Sequence, residues 1–124
     1  MNTPIFTKSF CSLVDVPAYT ILKADVNGVS LASANTDPLI GASDSMGAPA
    51  GGMADCIQGG WSEVRAGGAF VFGDPLTSDD QGRAIKAEAK AGTVVRIIGH
   101  AMADAAENDI VPYLCGLGSI GAAA

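Results

Sequence analysis

The sequence predicts an all-β protein, a small single-domain β-barrel or β-sandwich of short strands with at most one short helix. Two observations predict this class: β-branched and aromatic residues fall in short runs between clusters of glycine, proline and aspartate, and apolar residues rarely recur at helical spacing. The 16 Gly and 6 Pro are spread along all 124 residues, as many tight turns require. The length suits one domain with its own core.

Nine short strands are predicted in succession. They cover residues 18–25, 29–34, 39–43, 53–58, 61–65, 69–72, 84–87, 94–102 and 110–115. Asn27-Gly28 predicts a tight hairpin turn, because both residue types tolerate positive φ, and Asp80-Gln81-Gly82 predicts another turn. Residues 101–108 are the candidate for a single helical turn, whereas the apolar residues of 84–91 alternate with period two and favour a strand.

The chain divides into an N-terminal arm (1–15), a β-domain (16–116) and a glycine- and alanine-rich C-terminal tail (117–124) that is expected to be flexible. The arm carries Phe6 and Phe10, where a terminus is normally polar. These rings need burial, so the arm is expected either to close the protein's own sheet or to lie as an added strand along another subunit or partner. No export signal or membrane-spanning run is recognisable, so the protein is expected to be made and used without export.

The charge balance disfavours nucleic acid as a partner. Seven Lys and Arg against thirteen Asp and Glu give a net charge of −6, which repels a phosphate backbone. The acidic residues stand mostly alone among turn-forming residues, where carboxylates serve turns and solubility better than acid–base chemistry. We therefore expect no paired-carboxylate enzyme and no metal site.

Cysteine and histidine offer one weak catalytic alternative. Cys11, Cys56 and Cys115 are an odd number without a close pair, so they indicate small buried residues better than a disulfide framework or a zinc site. A Cys–His hydrolase would need one of these thiols beside His100, which is the single histidine of the chain.

Two glycine-rich stretches are similar in composition to nucleotide-binding loops, but each lacks a feature that such a loop needs. Residues 116–121 match the dinucleotide fingerprint, but only three residues follow, too few for the helix that holds the pyrophosphate. Residues 47–52 lack the lysine and hydroxyl residue of a phosphate-binding loop. We therefore expect no cofactor and no catalytic residues.

The strand 61–65 provides the clearest candidate contact surface. Alternation places Trp61, Glu63 and Arg65 on one face, predicted to meet solvent or a partner, and places Ser62 and Val64 on the other. Trp61 could equally be a core aromatic. The residues predicted to contact a capsid or another subunit are Ile5, Phe6, Phe10, Trp61, Glu63 and Arg65.

Residues 67–85 (GGAFVFGDPLTSDDQGRAI) resemble the capsid cement, or head decoration, proteins of tailed bacteriophages. In that family a glycine-led strand runs into a GDPLTSD-like turn, then a short GRA strand, then a threonine- and valine-rich strand ending in an Ile-Gly-x-Ala step, to which residues 93–101 are similar. Residues 109–114 look like the family's closing strand, and 37–41 like its earlier Asp-Pro-Leu-Ile-Gly step. These matches cover most of residues 16–115.

The resemblance implies a small all-β protein without catalytic activity that binds the major capsid protein on the outer surface of the phage head and stabilises the mature lattice. The protein would be made in the host cytoplasm and reside in the virion. Many weak contacts act together on such a lattice, so self-association, as a trimer ahead of a dimer, is expected. A generic β-barrel binding module of another assembly is the alternative, with the Cys–His hydrolase as a weaker one.

Overall fold

The computed structural model describes residues 3–121, with side chains described from Phe6 onward, and it confirms the all-β class. Every strand pair is antiparallel, and the described residues contain no helix: after Ala101, the last residue of β8, residues 102–108 form bends and turns around a bridge at Ala105. The strands are β1 (Thr3–Cys11), β2 (Ile21–Asp25), β3 (Gly28–Leu31), β4 (Leu39–Ser43), β5 (Met53–Arg65), β6 (Pro75–Ser78), β7 (Ala84–Lys86), β8 (Val94–Ala101) and β9 (Ile110–Gly121).

Strand positions differ from the sequence prediction at several places. The predicted strands 53–58 and 61–65 are one continuous strand, β5, whereas the arm forms a strand, β1, as one of its two expected arrangements requires. The predicted strand 69–72 is wrong, because only Phe70 forms a bridge, to Ala105, and a turn follows at once. The strand Pro75–Ser78 was not predicted, since its proline and two hydroxyl residues resemble a loop.

The C-terminal tail, expected to be flexible, also differs from the sequence prediction. Leu117–Gly121 continue β9 and pair with β8, so the glycine-rich motif at 116–121 lies in a strand. Residues 122–124 lie outside the described residues.

One curled sheet contains all nine strands, in the order β3-β2-β4-β5-β9-β8-β6-β7, with β1 beside β5. Ile57 pairs with Thr7 of β1 and with Ala42 of β4, and Trp61 pairs with both β1 and Leu114 of β9. A residue has one such partner at each edge of its strand, so β1 occupies one edge of β5 while β4 and β9 follow each other along the other. The arm therefore closes the protein's own sheet.

The main core lies on one face of the curled sheet. Ile21 from β2, Leu76 from β6 and Ile98 from β8 are fully inaccessible there and pack with Val64 and Tyr113. Burial of side chains of this size stabilises the fold by about 1.5–3 kcal/mol each. A second cluster joins β1 to the body of the protein, because Phe10 packs against its residues, which are Val16, Leu22, Val29, Ala54 and Cys56.

The hairpin predicted at Asn27-Gly28 forms between β2 and β3, but its two-residue loop begins one residue earlier than predicted. Asp25 pairs with Gly28, so the two loop residues are Val26 and Asn27, and Asn27 has φ of 68°. Gly28 already belongs to β3. A Cβ atom at that position would lie 2.3 Å from the carbonyl oxygen of Cys11, so the glycine permits the close approach of β1.

Candidate functional site: the outer row

Four directly opposed residues form a continuous row across β5, β9, β8 and β6, on the face of the sheet away from the main core. Trp61 pairs with Leu114, Leu114 with His100, and His100 with Pro75. Directly opposed residues of antiparallel strands project from the same face. Leu114 is 48% exposed, whereas Tyr113 beside it in β9 is fully buried. We call these four residues the outer row.

The second half of β5 alternates as the sequence predicts. Ser62 and Val64 are fully buried, whereas Trp61, Glu63 and Arg65 are only partly buried. Trp61 belongs to none of the core clusters of the described residues. A partly exposed tryptophan between charged strand neighbours is typical of a residue that anchors a protein contact.

Charged side chains continue this face on one flank of the outer row. Glu63 opposes Pro112, and Arg65 opposes Ile110, which is 39% exposed. The guanidinium of Arg65 also donates from Nη1 to the carbonyl oxygen of Asn108 at 3.3 Å, which fixes its position at the edge of the sheet. The face thus combines an apolar row with polar neighbours, the composition of a protein-binding surface.

The residues predicted in the arm lie in different environments. Phe6 is 55% exposed on β1, while Phe10 packs on the second core cluster beside Cys56. The side chain of Ile5 lies outside the described residues. The structure therefore brings Trp61, Glu63 and Arg65 together on one face and places Phe10 against the protein's own interior.

His100 and Cys115 project from opposite faces of the sheet. His100 opposes Leu114, which shares its face, and Cys115 is the next residue of β9, so its thiol points to the other side. Burial raises the pKa of the Cys115 thiol, and burial together with the nearby Cys115 raises the pKa of Cys56 to about 12. A thiol with a raised pKa is a poor nucleophile at neutral pH.

Tyr113 is a buried polar group without a conventional partner. Its hydroxyl lies near Cys115, Cys56 and Ser62, yet neither it nor the Ser62 hydroxyl makes a hydrogen bond of normal geometry within the described residues. Burial, followed by the neighbouring Cys115, raises the pKa of Tyr113 well above its usual range. The phenol therefore stays protonated and packs as part of the core.

Several carboxylates fix turns, as the sequence predicts. The Asp37 carboxylate accepts hydrogen bonds from the backbone N–H groups of Ser33 and Ala34 at 2.9 and 3.1 Å. Asp79 accepts from the backbone of Arg83 and pairs with its guanidinium at 2.9 Å. Hydrogen bonds between a carboxylate and nearby backbone N–H groups hold a reversal of the chain in place.

The described residues contain no group of three or more His, Cys, Asp or Glu side chains that could hold a metal ion. None of their secondary-structure elements is a helix long and apolar enough to cross a membrane. What the geometry does provide is a broad, partly apolar face on an antiparallel sheet.

The fold and this face define a small β-protein built around a curled, nine-stranded antiparallel sheet. No protein-family model matches the sequence, and no curated protein matches it. Among solved structures, the head fiber gp8.5 N base in bacteriophage phi29 is similar in fold, with a TM-score of 0.66 and 22% sequence identity. The superposition covers 90% of this chain and 93% of that one, so the whole architecture is shared.

Proposed function

We propose that this protein is a capsid decoration protein that binds the outer surface of a phage head and stabilises the mature lattice. The observation that carries the proposal is the likeness in fold, over nearly the full length of both chains, to the base of a phage head fiber. The decoration-protein motif at residues 67–85 supports it independently, because that resemblance rests on the residues themselves and not on the fold.

The proposed mechanism is binding alone. A protein that binds only the expanded lattice stabilises that state by its differential affinity, and the gain grows with occupancy. The outer row suits such binding, because Trp61 and Leu114 offer apolar area, while Glu63 and Arg65 supply polar contacts at its flank. The partner is the major capsid protein, and self-association into a trimer would multiply the contacts of each copy.

The proposal assigns no enzymatic activity to the chain. The positions of His100 and Cys115 on opposite faces of the sheet and the raised pKa values of Cys56 and Cys115 argue against a Cys–His hydrolase. A binding role needs no cofactor.

The test uses expanded shells of the phage whose genome carries this sequence, stripped of their own copies of the protein. Purified protein is added, and co-sedimentation and the temperature of shell disassembly are measured. We expect saturable binding and a higher disassembly temperature. Shells that bind no protein would overturn the proposal, and stable co-purification with a non-capsid partner would favour a generic binding module.

A second arm of the test locates the contact. Phe6→Ala alters an exposed ring of β1 without touching Phe10, which holds β1 to the core. Weaker binding by a variant with unchanged thermal unfolding would place the arm in the capsid contact. Unchanged binding would show that the Phe6 ring is not part of the contact.

A further inference from the structure

The turn at residues 71–74 presents two apolar side chains in a fixed position. Phe72 is 65% exposed, and Val71 is also exposed. The Asp74 carboxylate accepts from the Val71 N–H at 3.0 Å, and the Asp104 carboxylate accepts from the Phe72 N–H at 2.9 Å. Gly73, with φ of 92°, donates to the carbonyl oxygen of Ala101 at the end of β8. An exposed aromatic ring on a rigid turn loses little conformational entropy on binding. We call residues 71–74 the Phe72 turn.

A recess of about 720 Å³ opens beside the opposite end of β8. Its apolar lining comes from Leu39, Val94 and Leu117, of which Val94 is 60% exposed and Leu117 is 47% exposed. Thr36, Arg96 and Ser119 supply polar groups at its wall. Apolar side chains this exposed, around a concavity of this size, are typical of a surface that another molecule covers.

The turn and the recess lie too far apart to meet within one chain. The recess is at Val94 and Arg96, and the turn adjoins Ala101, seven residues beyond Val94 along the strand. At roughly 3.3 Å per residue these points are on the order of 20 Å apart. A protrusion and a concavity at opposite ends of one strand fit each other only between two copies.

The Phe72 turn and the recess also carry opposite charges. Asp74 and Asp104 flank the Phe72 turn. Arg96 lines the recess, while Lys90 and Glu88 line the adjoining hollow, so the receiving side carries a net positive charge within a chain of net charge −6. Opposite charges around an apolar centre steer two surfaces together and fix their register.

We propose that the Phe72 turn of one copy seats in the Leu39–Val94–Leu117 recess of the next copy. This contact deepens the proposed function and rests on it, because it assigns the surface that joins the copies of the proposed trimer. A contact between two different patches is heterologous, and repetition of such a contact closes a ring when the rotation allows. Phe72 is the apolar anchor, and Arg96 is the charge that recognises the acidic turn.

Disulfide cross-linking in solution tests the contact directly. Phe72→Cys and Val94→Cys are combined in a chain whose exposed Cys11 is replaced by serine. The distance within one chain far exceeds the span of a disulfide, so any bond between these positions joins two copies. We expect covalent dimers and trimers on mild oxidation. The matched control replaces Phe72→Cys by Val26→Cys, at the exposed tip of the β2–β3 hairpin, and is expected to form no covalent cross-link.

Sedimentation of the free protein gives the second readout. Phe72→Ala and Arg96→Glu are each expected to raise the dissociation constant of the assembly at least about tenfold without changing thermal unfolding. Lys8→Glu, the same charge change on β1, is expected to have a much smaller effect. Monomers at every concentration, or equal cross-linking in the Val26 control, would overturn the inference.

These measurements use no capsid, so they separate this inference from the proposed function. Capsid binding by a protein that never assembles in solution and does not cross-link would overturn the inference alone. A Phe72→Ala variant that still assembles normally but loses capsid attachment would show that the turn contacts the capsid instead, and this result too would overturn the inference.

Discussion

Trp61 and Leu114 oppose each other across the β5–β9 pair, on the face turned away from the main core. Trp61 also has a β1 residue as its partner at the other edge of β5. The backbone of Trp61 is thus held between two neighbouring strands, while its side chain remains partly accessible. This arrangement fits an anchor that is held in place before a partner binds, which reduces the entropy lost on association.

We expect Trp61→Ala to weaken capsid attachment by more than about 2 kcal/mol, because truncation of a central aromatic anchor has costs of this size. Val64→Ala, three residues along the same strand, serves as the control. Val64 is fully buried, so its truncation is expected to lower the melting temperature while leaving attachment of the folded protein intact. A large drop in melting temperature for Trp61→Ala with normal attachment would instead make the indole a core residue.

The sequence predicts the part of this surface that depends on residue spacing within one strand, and it does not predict the part that depends on strand pairing. Alternation within β5 places Trp61, Glu63 and Arg65 on one face correctly, because side-chain direction in a strand follows from spacing alone. Leu114 and His100 join them only through pairing of strands distant in the chain. Such register depends on tertiary packing, which no local pattern of residues contains.

Turns, like this surface, are only partly predicted by the sequence. The two Asp-Pro-Leu steps at 37–39 and 74–76 are typical of turns, and both aspartates do accept hydrogen bonds from upstream backbone N–H groups. The apolar run before the second step nevertheless predicts a strand. Phe70 is buried, but Asp74 draws the chain into a turn directly after it, which leaves Phe72 exposed. A local hydrogen bond outweighs β-propensity there.

Gly99 is expected to tolerate no side chain. It lies at an irregularity in the β8–β9 register, and a Cβ atom would come within 2.0 Å of the carbonyl oxygen of Leu114. Since that neighbour is backbone, relief requires the strands to separate, and we expect Gly99→Ala to lower the free energy of unfolding by at least about 2 kcal/mol. Urea denaturation measures this.

The control for that variant is Gly116→Ala, where a Cβ atom would meet nothing within 4 Å. Its effect is expected to stay within about 0.5 kcal/mol, as for most surface substitutions. Similar losses for both variants would contradict the steric explanation for Gly99.

The three thiols are expected to react at very different rates. Cys11 is exposed, Cys115 is partly buried with a raised pKa, and Cys56 is buried with its pKa raised to about 12. Iodoacetamide at pH 8 should therefore modify Cys11 first in the folded protein and Cys56 only after unfolding, since the thiolate is the reactive form. Peptide mass spectrometry identifies the modified residue. Rapid modification of Cys115 in the folded protein would revive the Cys–His alternative.

Asp37 is expected to make stability depend on pH in the acidic range. Burial alone would raise its pKa, but hydrogen bonds from Ser33 and Ala34 and the charge of Lys23, 3.8 Å away, outweigh burial and lower it below 3.8. Because the folded pKa is lower than the unfolded one, the contribution is complete above about pH 4 and is lost as the pH falls through the folded pKa. Asp37→Asn should thus be less stable than the wild type by about 1 kcal/mol at pH 7, with the gap narrowing below pH 4.

Urea unfolding at several pH values measures this difference in stability between Asp37→Asn and the wild type, with exposed Asp80→Asn as the control for the loss of one negative charge. A gap that stays constant down to pH 2 would mean that the Asp37 hydrogen bonds do not depend on its charge.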